Sequence, residues 1–292
     1  MFDTIKTLST ELPVLIAGAT ASGKSALAME IAAQKGGLIV NADALQVFEN
    51  WRVLTARPSV EDEAQTPHAL YGHVAGNGAY SVGQWLRDVK ALMGNERLII
   101  VGGTGLNFRA LTEGLAEIPP TPPAVRALAN ERLEADGINA LLAELDDETR
   151  SRIDPANPMR VTRAWEVAQT TGRPLSDWQD STPPPIVPLA NCHPILIDAP
   201  KKWVNERIER RFDIMLAQGA LDEAQQNLAT WNPADQSARA IGAPELIGHL
   251  QGELSLEEAR TLAVTASRQY AKRQRTWFRA RMGEWIPLDP TG

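Results

Sequence analysis

The sequence has few of the residues that build disulfides and metal centres. Its 292 residues include one cysteine, Cys192, which excludes an intrachain disulfide and leaves no cysteine cluster for zinc or iron–sulfur. The four histidines, at positions 68, 73, 193 and 249, are not spaced as metal ligands. We therefore expect no structural metal, and a single thiol suits a reducing cytoplasm.

Long apolar segments are missing as well. No run approaches the roughly 20 residues that a membrane helix requires. Residues 1–13 lack the basic start and apolar middle of a signal peptide. Hydrophobic residues nevertheless make up 43% of the chain, which supports a folded core. These features predict a soluble, cytoplasmic protein that contacts no membrane.

A positive net charge is also lacking. The chain carries 29 basic and 36 acidic residues, for a net charge of −7, which argues weakly against nucleic-acid binding. Residues 268–281, however, contain six cations and no acid. Local patches decide where a phosphate backbone is attracted, so this segment is a candidate nucleic-acid surface. A solvated basic helix face is the ordinary alternative.

Short apolar runs alternate with helical patterns in the first part of the chain. Runs at 13–17, 38–40 and 97–101 are typical of buried strands, and another follows at 194–197. Such alternation predicts an α/β fold with a parallel sheet flanked by helices. Proline clusters at 119–123 and 183–188 enclose a wholly helical pattern. We therefore expect a core of residues 1–120 and 190–292 and an all-helical insertion domain at 121–189.

Residues 18–25, with the sequence GATASGKS, match the phosphate-loop pattern G-x-x-x-x-G-K-[ST] between a predicted strand and a predicted helix. Such a loop turns several backbone N–H groups toward one anion at a helix N-terminus. The motif therefore favours a P-loop NTPase-like core. Lys24 adds a mobile charge, and the Ser25 hydroxyl is a candidate Mg²⁺ ligand. The predicted polyphosphate-binding residues are Gly18, Ala19, Thr20, Ala21, Ser22, Gly23, Lys24 and Ser25.

Polar residues follow two further predicted strands. Asp43 comes just after the second strand, and Thr104 follows the third within V-G-G-T-G. Ligands of open parallel sheets bind at the carboxyl ends of the strands, so both residues should face the crevice of the phosphate loop. A carboxylate there can ligate Mg²⁺ or accept a proton from a nucleophile. The alternatives are a turn aspartate and a threonine that caps a helix.

Together these segments resemble the tRNA dimethylallyltransferases, which prenylate N6 of the adenine next to the anticodon. The resemblance covers nearly the whole chain in order. It includes the loop at 18–25, NADALQVF at 41–48, TARP at 55–58, VGGTGL at 101–106, NPMRVTRAWE at 157–166 and RQYAKRQRTWFR at 268–279. The chain has Ala44, Asn107 and Ala243 where the family usually has serine, tyrosine and tyrosine.

The resemblance implies dimethylallyl diphosphate as donor, the tRNA anticodon stem–loop as acceptor, Mg²⁺ as cofactor and a monomeric enzyme. It implies catalytic roles for Asp43, Thr104 and Lys24, with Arg57 and Arg239 near the diphosphate. The implied tRNA-binding residues are Asp43, Ala44, Leu45, Gln46, Thr104, Arg126, Met159, Arg160, Val161, Thr162, Arg163, Arg268, Lys272, Arg273, Arg275 and Arg279.

Two other functions are compatible with parts of this pattern. A small-molecule or nucleotide kinase would share the phosphate loop, the aspartate after the second strand and the glycines after the third, and it would consume ATP. A non-catalytic RNA-binding module would bind RNA without transferring a prenyl group. The helical region and the basic, aromatic C-terminal segment are not required by a kinase, and the retained Asp43, Lys24 and Thr104 argue against a non-catalytic module.

Overall fold

The computed structural model describes residues 2–291. Its strands are β1 Val14–Gly18, β2 Leu38–Asn41, β3 His68–Ala69, β4 Leu98–Gly102, β5 His193–Ile197 and β6 Ile286–Leu288. Its α-helices are α1 Phe2–Thr7, α2 Lys24–Lys35, α3 Val60–Gln65, α4 Val82–Leu92, α5 Gly105–Glu113, α6 Pro123–Asp136, α7 Ile138–Ala143, α8 Asp147–Arg152, α9 Pro158–Thr171, α10 Leu175–Asp180, α11 Lys201–Ala217, α12 Ala220–Asn227, α13 Ala243–Leu250 and α14 Leu256–Arg281. Short 3₁₀ helices lie at Leu189–Asn191, Leu228–Thr230 and Ser237–Arg239.

Across the described residues, the strands form one six-stranded sheet in the order β3-β2-β4-β1-β5-β6, and every neighbouring pair is parallel. The central strand β1 is buried throughout, as is β4, because a parallel sheet is covered on both faces. Val14 of β1 pairs with Ile99 on one side and with His193 on the other. The predicted parallel sheet is confirmed.

Two strands of the sheet were not predicted from the sequence. Strand β3 has two residues and β6 has three, which is too short for hydrophobic periodicity to reveal. Each is recognisable only through its partner, β3 along β2 and β6 along β5. The first strand also runs one residue later than its apolar run, since Pro13 has no N–H to donate to a sheet neighbour.

The chain divides into two compact units, one of residues 1–112 and 187–292 and one of residues 113–186. The predicted insertion, 121–189, begins later than the second unit, which includes the segment that follows α5. The backbone N–H of Val187 donates to Leu111 O at 3.1 Å, so the returning chain is already held by the sheet unit at that residue. The second unit has its own apolar core, which includes Ala129, Leu141, Val161 and Trp165.

Helix α14 is 26 residues long and begins with a capping box, in which the Ser255 hydroxyl accepts from Glu258 N and the Glu258 carboxylate accepts from Ser255 N. Small buried residues, Ala259, Ala263 and Ala271, let it approach the core closely. Its remaining positions are largely polar. Within residues 2–291, neither α14 nor any other helix combines the length and apolarity needed to span a bilayer.

Candidate active site

The phosphate loop connects β1 directly to α2. A Cβ at Gly18 would lie 2.7 Å from Ser22 Oγ and 3.2 Å from Ile197 Cβ, so a larger residue would have to displace both neighbours. Ala21 has a φ of 60°, which a residue with a side chain rarely adopts and which is typical of strained ligand-binding loops. The backbone N–H of Ser22 closes the loop on Ala19 O at 3.2 Å. The local sequence therefore folds the loop into the curled form that holds anions.

Lys24 begins α2 and bends back over this loop. Its Nζ donates to Ala19 O at 3.3 Å, and the side chain is half-buried. Burial lowers the pKa of Lys24 to about 8, the nearby Asp43 carboxylate opposes that shift, and Arg211 adds to it. Asp43 and Arg211 are therefore close enough to Lys24 to influence its pKa.

Helix α11 brings two arginines to the loop. Arg207 Nε donates to Ala21 O at 2.9 Å, and its guanidinium lies 4.4 Å from the Trp203 ring centroid. Arg211 lies one turn further along, where burial lowers its pKa, Asp43 opposes that shift and Arg207 adds to it. Two cations held near each other are costly without an anion, which is the arrangement expected of a site that binds a multivalent anion.

The loop after β2 is held by Asn41. This buried side chain accepts from Asp43 N at 2.8 Å and donates to Asp43 O and to Leu70 O, both at 3.0 Å. One oxygen of the Asp43 carboxylate accepts from Leu45 N at 3.0 Å. Asp43 does form a turn of its own, as the alternative interpretation held, and that turn fixes its carboxylate in the cleft.

The loops after β2 and β4 are joined by Thr104, whose Oγ1 accepts from Ala44 N at 2.9 Å. Tyr270 of α14 lies beside them. Burial raises the pKa of Tyr270, and Asp43 raises it further, while side-chain hydrogen bonds to Thr104 and Gln274 oppose the rise. The carboxylate, the threonine and the tyrosine therefore form one polar group at the carboxyl edge of the sheet.

These elements surround an open cleft of about 600 Å³. Its polar lining includes Thr20, Asp43, Thr55, Arg211, Ser267 and Tyr270. Its apolar lining consists of Leu45, Leu54, Ile208, Phe212, Met215 and Ile241. One cleft thus combines a phosphate loop with a cation and a carboxylate on its polar side and an aliphatic and aromatic wall on the other.

Residues 46–281 match the sequence profile of a family described as IPP transferase, and residues 13–72 match one described as isopentenyl transferase. The chain belongs to the IPP transferase family. The tRNA dimethylallyltransferase of Dinoroseobacter shibae is 60% identical over 288 residues, which cover 98% of this chain and 97% of that protein. The tRNA dimethylallyltransferase of a Ruegeria species is 56% identical over 289 residues, which cover 98% of each chain. The resemblance found in the sequence is confirmed.

Solved structures agree with this family membership. A tRNA delta(2)-isopentenylpyrophosphate transferase from Staphylococcus epidermidis superposes with a TM-score of 0.65 at 31% identity, over 95% of this chain and 93% of that chain. A eukaryotic dimethylallyltransferase acting on tRNA superposes with a TM-score of 0.81 at 22% identity, over 96% of this chain and 74% of that chain. The second comparison shows that the two proteins share a fold.

The cleft of this IPP transferase does not include every predicted phosphate-binding residue. Arg57 donates from Nη1 to Phe48 O and Glu49 O, both at 3.1 Å, and so stabilises the backbone beside the cleft. Arg239 is exposed in a 3₁₀ helix and does not line the cleft. Gln46, which was predicted to bind tRNA, donates to Thr55 O and Ala56 O. Of Arg57, Arg211 and Arg239, only Arg211 lines the cleft.

Sequence reasoning missed Arg207, Arg211, Tyr270 and the apolar wall. One signal was available, because Arg207 and Arg211 are four residues apart and therefore share a helix face. Glu206 and Glu209 interrupt the basic residues between positions 201 and 211 and obscured that signal. The apolar wall had no local signal, since its residues come from the loop after β2, α11 and the segment before α13.

The helical unit presents a small cluster of arginines. The carboxylate of Glu166 is buried and lies 3.5 Å from Arg126 Nε and 3.6 Å from Arg163 Nη1. Arg163 also donates to Thr121 Oγ1 at 2.6 Å. Both arginines remain substantially exposed, so Glu166 orients their guanidinium groups without removing them from solvent.

The other predicted residues of this unit differ in exposure. Met159 is 79% exposed, and Arg160 is exposed beside it in the first turn of α9. Val161 and Thr162 are instead buried within the unit. Only the exposed members of this set can reach a macromolecular partner directly.

Helix α14 carries the remaining predicted cations. Lys272, Arg273 and Arg279 are exposed, and Arg273 lies over the Tyr270 ring at 5.7 Å. Arg268 pairs with Glu209 at 2.7 Å, which ties it to α11. The exposed cations form a charged face on the helix that also contributes Tyr270 to the cleft.

Proposed function

We propose that this IPP transferase moves a dimethylallyl group from dimethylallyl diphosphate to N6 of the adenosine 3′-adjacent to the anticodon in tRNA, with release of diphosphate. The observation that carries the proposal is the polarity of the cleft, where Arg211 and Asp43 lie in the same lining as Ile208, Phe212 and Ile241. Lys24 is close enough to Asp43 and Arg211 for both to affect its pKa. A donor with a charged diphosphate and a short branched hydrocarbon has the same polarity. The names of the similar proteins support this choice.

The phosphate loop would hold the diphosphate of the donor. Backbone N–H groups at the start of α2 and the cations Lys24 and Arg211 would stabilise the charge that grows on oxygen as the allylic C–O bond breaks. Because these groups are fixed before the substrate arrives, little reorganisation accompanies the reaction. The apolar wall would hold the hydrocarbon and keep water from the allylic carbon.

Asp43 would act on the acceptor. The amino nitrogen of the adenine forms a bond to the allylic carbon, the C–O bond to diphosphate breaks, and the proton leaves nitrogen for the Asp43 carboxylate. Thr104 and Tyr270 lie beside this carboxylate and would orient the adenine and the donor. The adenine must leave the base stack to reach such a cleft.

Ser25 is the residue that would hold Mg²⁺. Within residues 2–291, no three or more histidine, cysteine, aspartate or glutamate side chains form a cluster able to hold a metal ion. Mg²⁺ usually keeps several waters and binds through one or two protein oxygens plus substrate phosphates, so the exposed hydroxyl of Ser25 in the first turn of α2 fits it. A divalent cation held by Ser25 would supply positive charge for the leaving group.

The acceptor would be held by the exposed cations. Lys272, Arg273 and Arg279 of α14 are candidates for contacts with RNA phosphates, and Arg126 and Arg163 are candidates on the helical unit. Unpaired anticodon-loop bases are accessible to side chains in a way that paired RNA is not. We expect the enzyme to act in the cytoplasm as a monomer.

The proposal is tested by a transfer assay without ATP. Purified protein, Mg²⁺, labelled dimethylallyl diphosphate and unmodified tRNA are incubated, and the RNA is then digested to nucleosides. Label on N6 of the adenosine next to the anticodon is the expected result. Absence of label with folded protein and intact tRNA would overturn the proposal, and ATP consumption by the same preparation would instead indicate a kinase.

A further inference from the structure

Gln274 of α14 connects two loops of the candidate active site. Its Oε1 accepts from Thr20 N in the phosphate loop at 2.8 Å, and its Nε2 donates to Gly103 O after β4 at 2.9 Å. The side chain is 5% exposed. Both ends of one buried amide are therefore used, each on a different catalytic loop.

The surroundings of Gln274 restrict the position and the orientation of its amide. A Cβ at Gly103 would overlap Gln274 Nε2, so glycine is required there for the amide to approach. The fixed N–H of Thr20 and the fixed carbonyl of Gly103 also determine which way the amide faces, because only the oxygen can accept and only the nitrogen can donate.

The same side chain also reaches the acceptor side of the site. Tyr270 lies one helical turn before Gln274 and lines the same cleft as Asp43. Gly103 directly precedes Thr104, whose hydroxyl holds the loop of Asp43 through Ala44 N. A displacement of Gln274 would therefore disturb the phosphate loop and the Thr104 segment together.

We propose that Gln274 is a positioning residue that sets the phosphate loop and the adjoining Gly103 and Thr104 for the diphosphate donor, an inference that rests on the transfer reaction proposed above. Gln274 touches backbone atoms rather than reacting atoms, so it acts through the loops. It also fixes α14, the helix with the exposed cations, to the phosphate loop.

The first test is binding of inorganic diphosphate with Mg²⁺ to the full-length protein, measured by isothermal titration calorimetry. Gln274→Met keeps the length of the side chain and removes both hydrogen-bonding atoms. We expect the Kd to rise about tenfold, because Thr20 N and Gly103 O lose the group that positions them. A Kd within twofold of wild type, for a variant that is folded by circular dichroism, would overturn the inference.

Gln269→Met is the matched control, since Gln269 is exposed on the same helix. Its diphosphate Kd should stay within twofold of wild type. If Gln274→Met does not fold, Gln274→Glu replaces it. The carboxylate can still accept from Thr20 N, but it has no hydrogen to donate to Gly103 O and repels that oxygen. We therefore again expect weaker diphosphate binding than in wild type.

A double-mutant cycle separates this contact from general damage. Gly103→Ala alone should weaken diphosphate binding, because its methyl group displaces the Gln274 amide. In a Gln274→Ala background the amide is absent, so the same substitution should have a much smaller effect. Independent, additive effects of the two substitutions on diphosphate binding would contradict a contact between Gly103 and the Gln274 amide.

Steady-state kinetics distinguish positioning from a merely structural role. In the transfer assay, Gln274→Met should raise the KM for dimethylallyl diphosphate and lower kcat, each about tenfold, while the KM for tRNA stays within twofold. If the wild-type protein binds diphosphate but transfers no prenyl group, the proposed transfer reaction is contradicted and the role of Gln274 in diphosphate binding is not. If the wild-type protein transfers the prenyl group and Gln274→Met has an unchanged donor KM and diphosphate Kd, the role of Gln274 is contradicted and the transfer reaction is not.

Discussion

Thr104 Oγ1 accepts a hydrogen bond from Ala44 N across 2.9 Å, so a side chain that follows β4 fixes the loop after β2 that carries Asp43. Two strands that are neighbours in the sheet are thus joined again beyond its edge. The hydroxyl, rather than the bulk of the side chain, makes this connection, and the distinction can be tested.

Thr104→Val should lower kcat about tenfold, because valine has the shape of threonine but cannot accept from Ala44 N. Thr104→Ser keeps the hydroxyl and should stay within about threefold of wild type. Transfer rates at saturating donor and tRNA check both variants. Equal rates for the valine and serine variants would show that the hydroxyl has no role.

Asp43→Asn should lower kcat about 100-fold or more, because an amide cannot take the proton from the adenine nitrogen. Binding of dimethylallyl diphosphate should be retained, because the lost carboxylate has the same sign of charge as the diphosphate and hydrogen-bonds to Leu45 N rather than to the phosphate loop. Single-turnover rates and calorimetric donor binding separate the two effects. Asp222→Asn, at an exposed position of α12, is the control, and a loss of only twofold in Asp43→Asn would exclude a general base.

Arg211→Gln should lower kcat/KM for the donor about 10- to 100-fold, since a buried guanidinium that faces a diphosphate makes charge-assisted hydrogen bonds. Arg210→Gln alters the neighbouring, exposed arginine on α11 and should leave the donor kinetics unchanged. Steady-state kinetics with varied donor provide the comparison. Similar losses in both variants would point to the net charge of α11 instead of a specific contact.

Lys24→Met should stabilise the protein at pH 7 by about 1–3 kcal/mol while greatly weakening donor binding. Burial lowers the pKa of Lys24 to about 8 in the folded protein, below its ordinary value of 10.5. Between those two values the unfolded chain binds more protons, so the stability of the wild type rises with pH across that window. Below pH 8 Lys24 is charged in the folded protein, and the full cost of burying that charge lowers the free energy of unfolding.

The stabilities of wild type and Lys24→Met should therefore converge as the pH rises from about 8 to 10.5. Urea unfolding at pH 7 and pH 10 measures the difference directly. A difference that does not depend on pH would show that Lys24 is not the titrating group. Arg211→Gln should raise the lower end of the window and so narrow it, because Arg211 helps to lower the pKa of Lys24 in the folded protein.

Lys272→Ala should reduce the salt dependence of tRNA binding. Each phosphate contact contributes roughly 0.7–0.9 to the slope of log K against log salt concentration, and an exposed lysine that contacts one phosphate should remove about that amount. Filter binding of an anticodon stem–loop between low and moderate salt gives the slope. Lys90→Ala removes an exposed lysine of α4 as a control, and equal slopes for both variants would place Lys272 away from the RNA.

The phosphate loop, the parallel sheet and the presence of a helical segment could be predicted from the sequence because each follows from local rules. The spacing of Gly18 and Lys24 fixes a turn between a strand and a helix, and apolar runs of strand length indicate buried parallel strands. Asp43 and Thr104 were predicted to share a crevice because strand ends of one parallel sheet meet at one edge. The hydrogen bond of Thr104 to Ala44 N follows from that arrangement.

The tertiary structure alone decided which distant residues complete the site. Gln274 hydrogen-bonds to Thr20, which is 254 positions away in the sequence. Arg211 lines the cleft from α11, where nearby glutamates interrupt the basic pattern of the sequence. Arg57, which the sequence placed near the diphosphate, instead holds the carbonyls of Phe48 and Glu49. Steric and hydrogen-bonding rules act over a few residues and so can be read locally, whereas the meeting of α11 and α14 at the phosphate loop depends on how whole helices pack against the sheet.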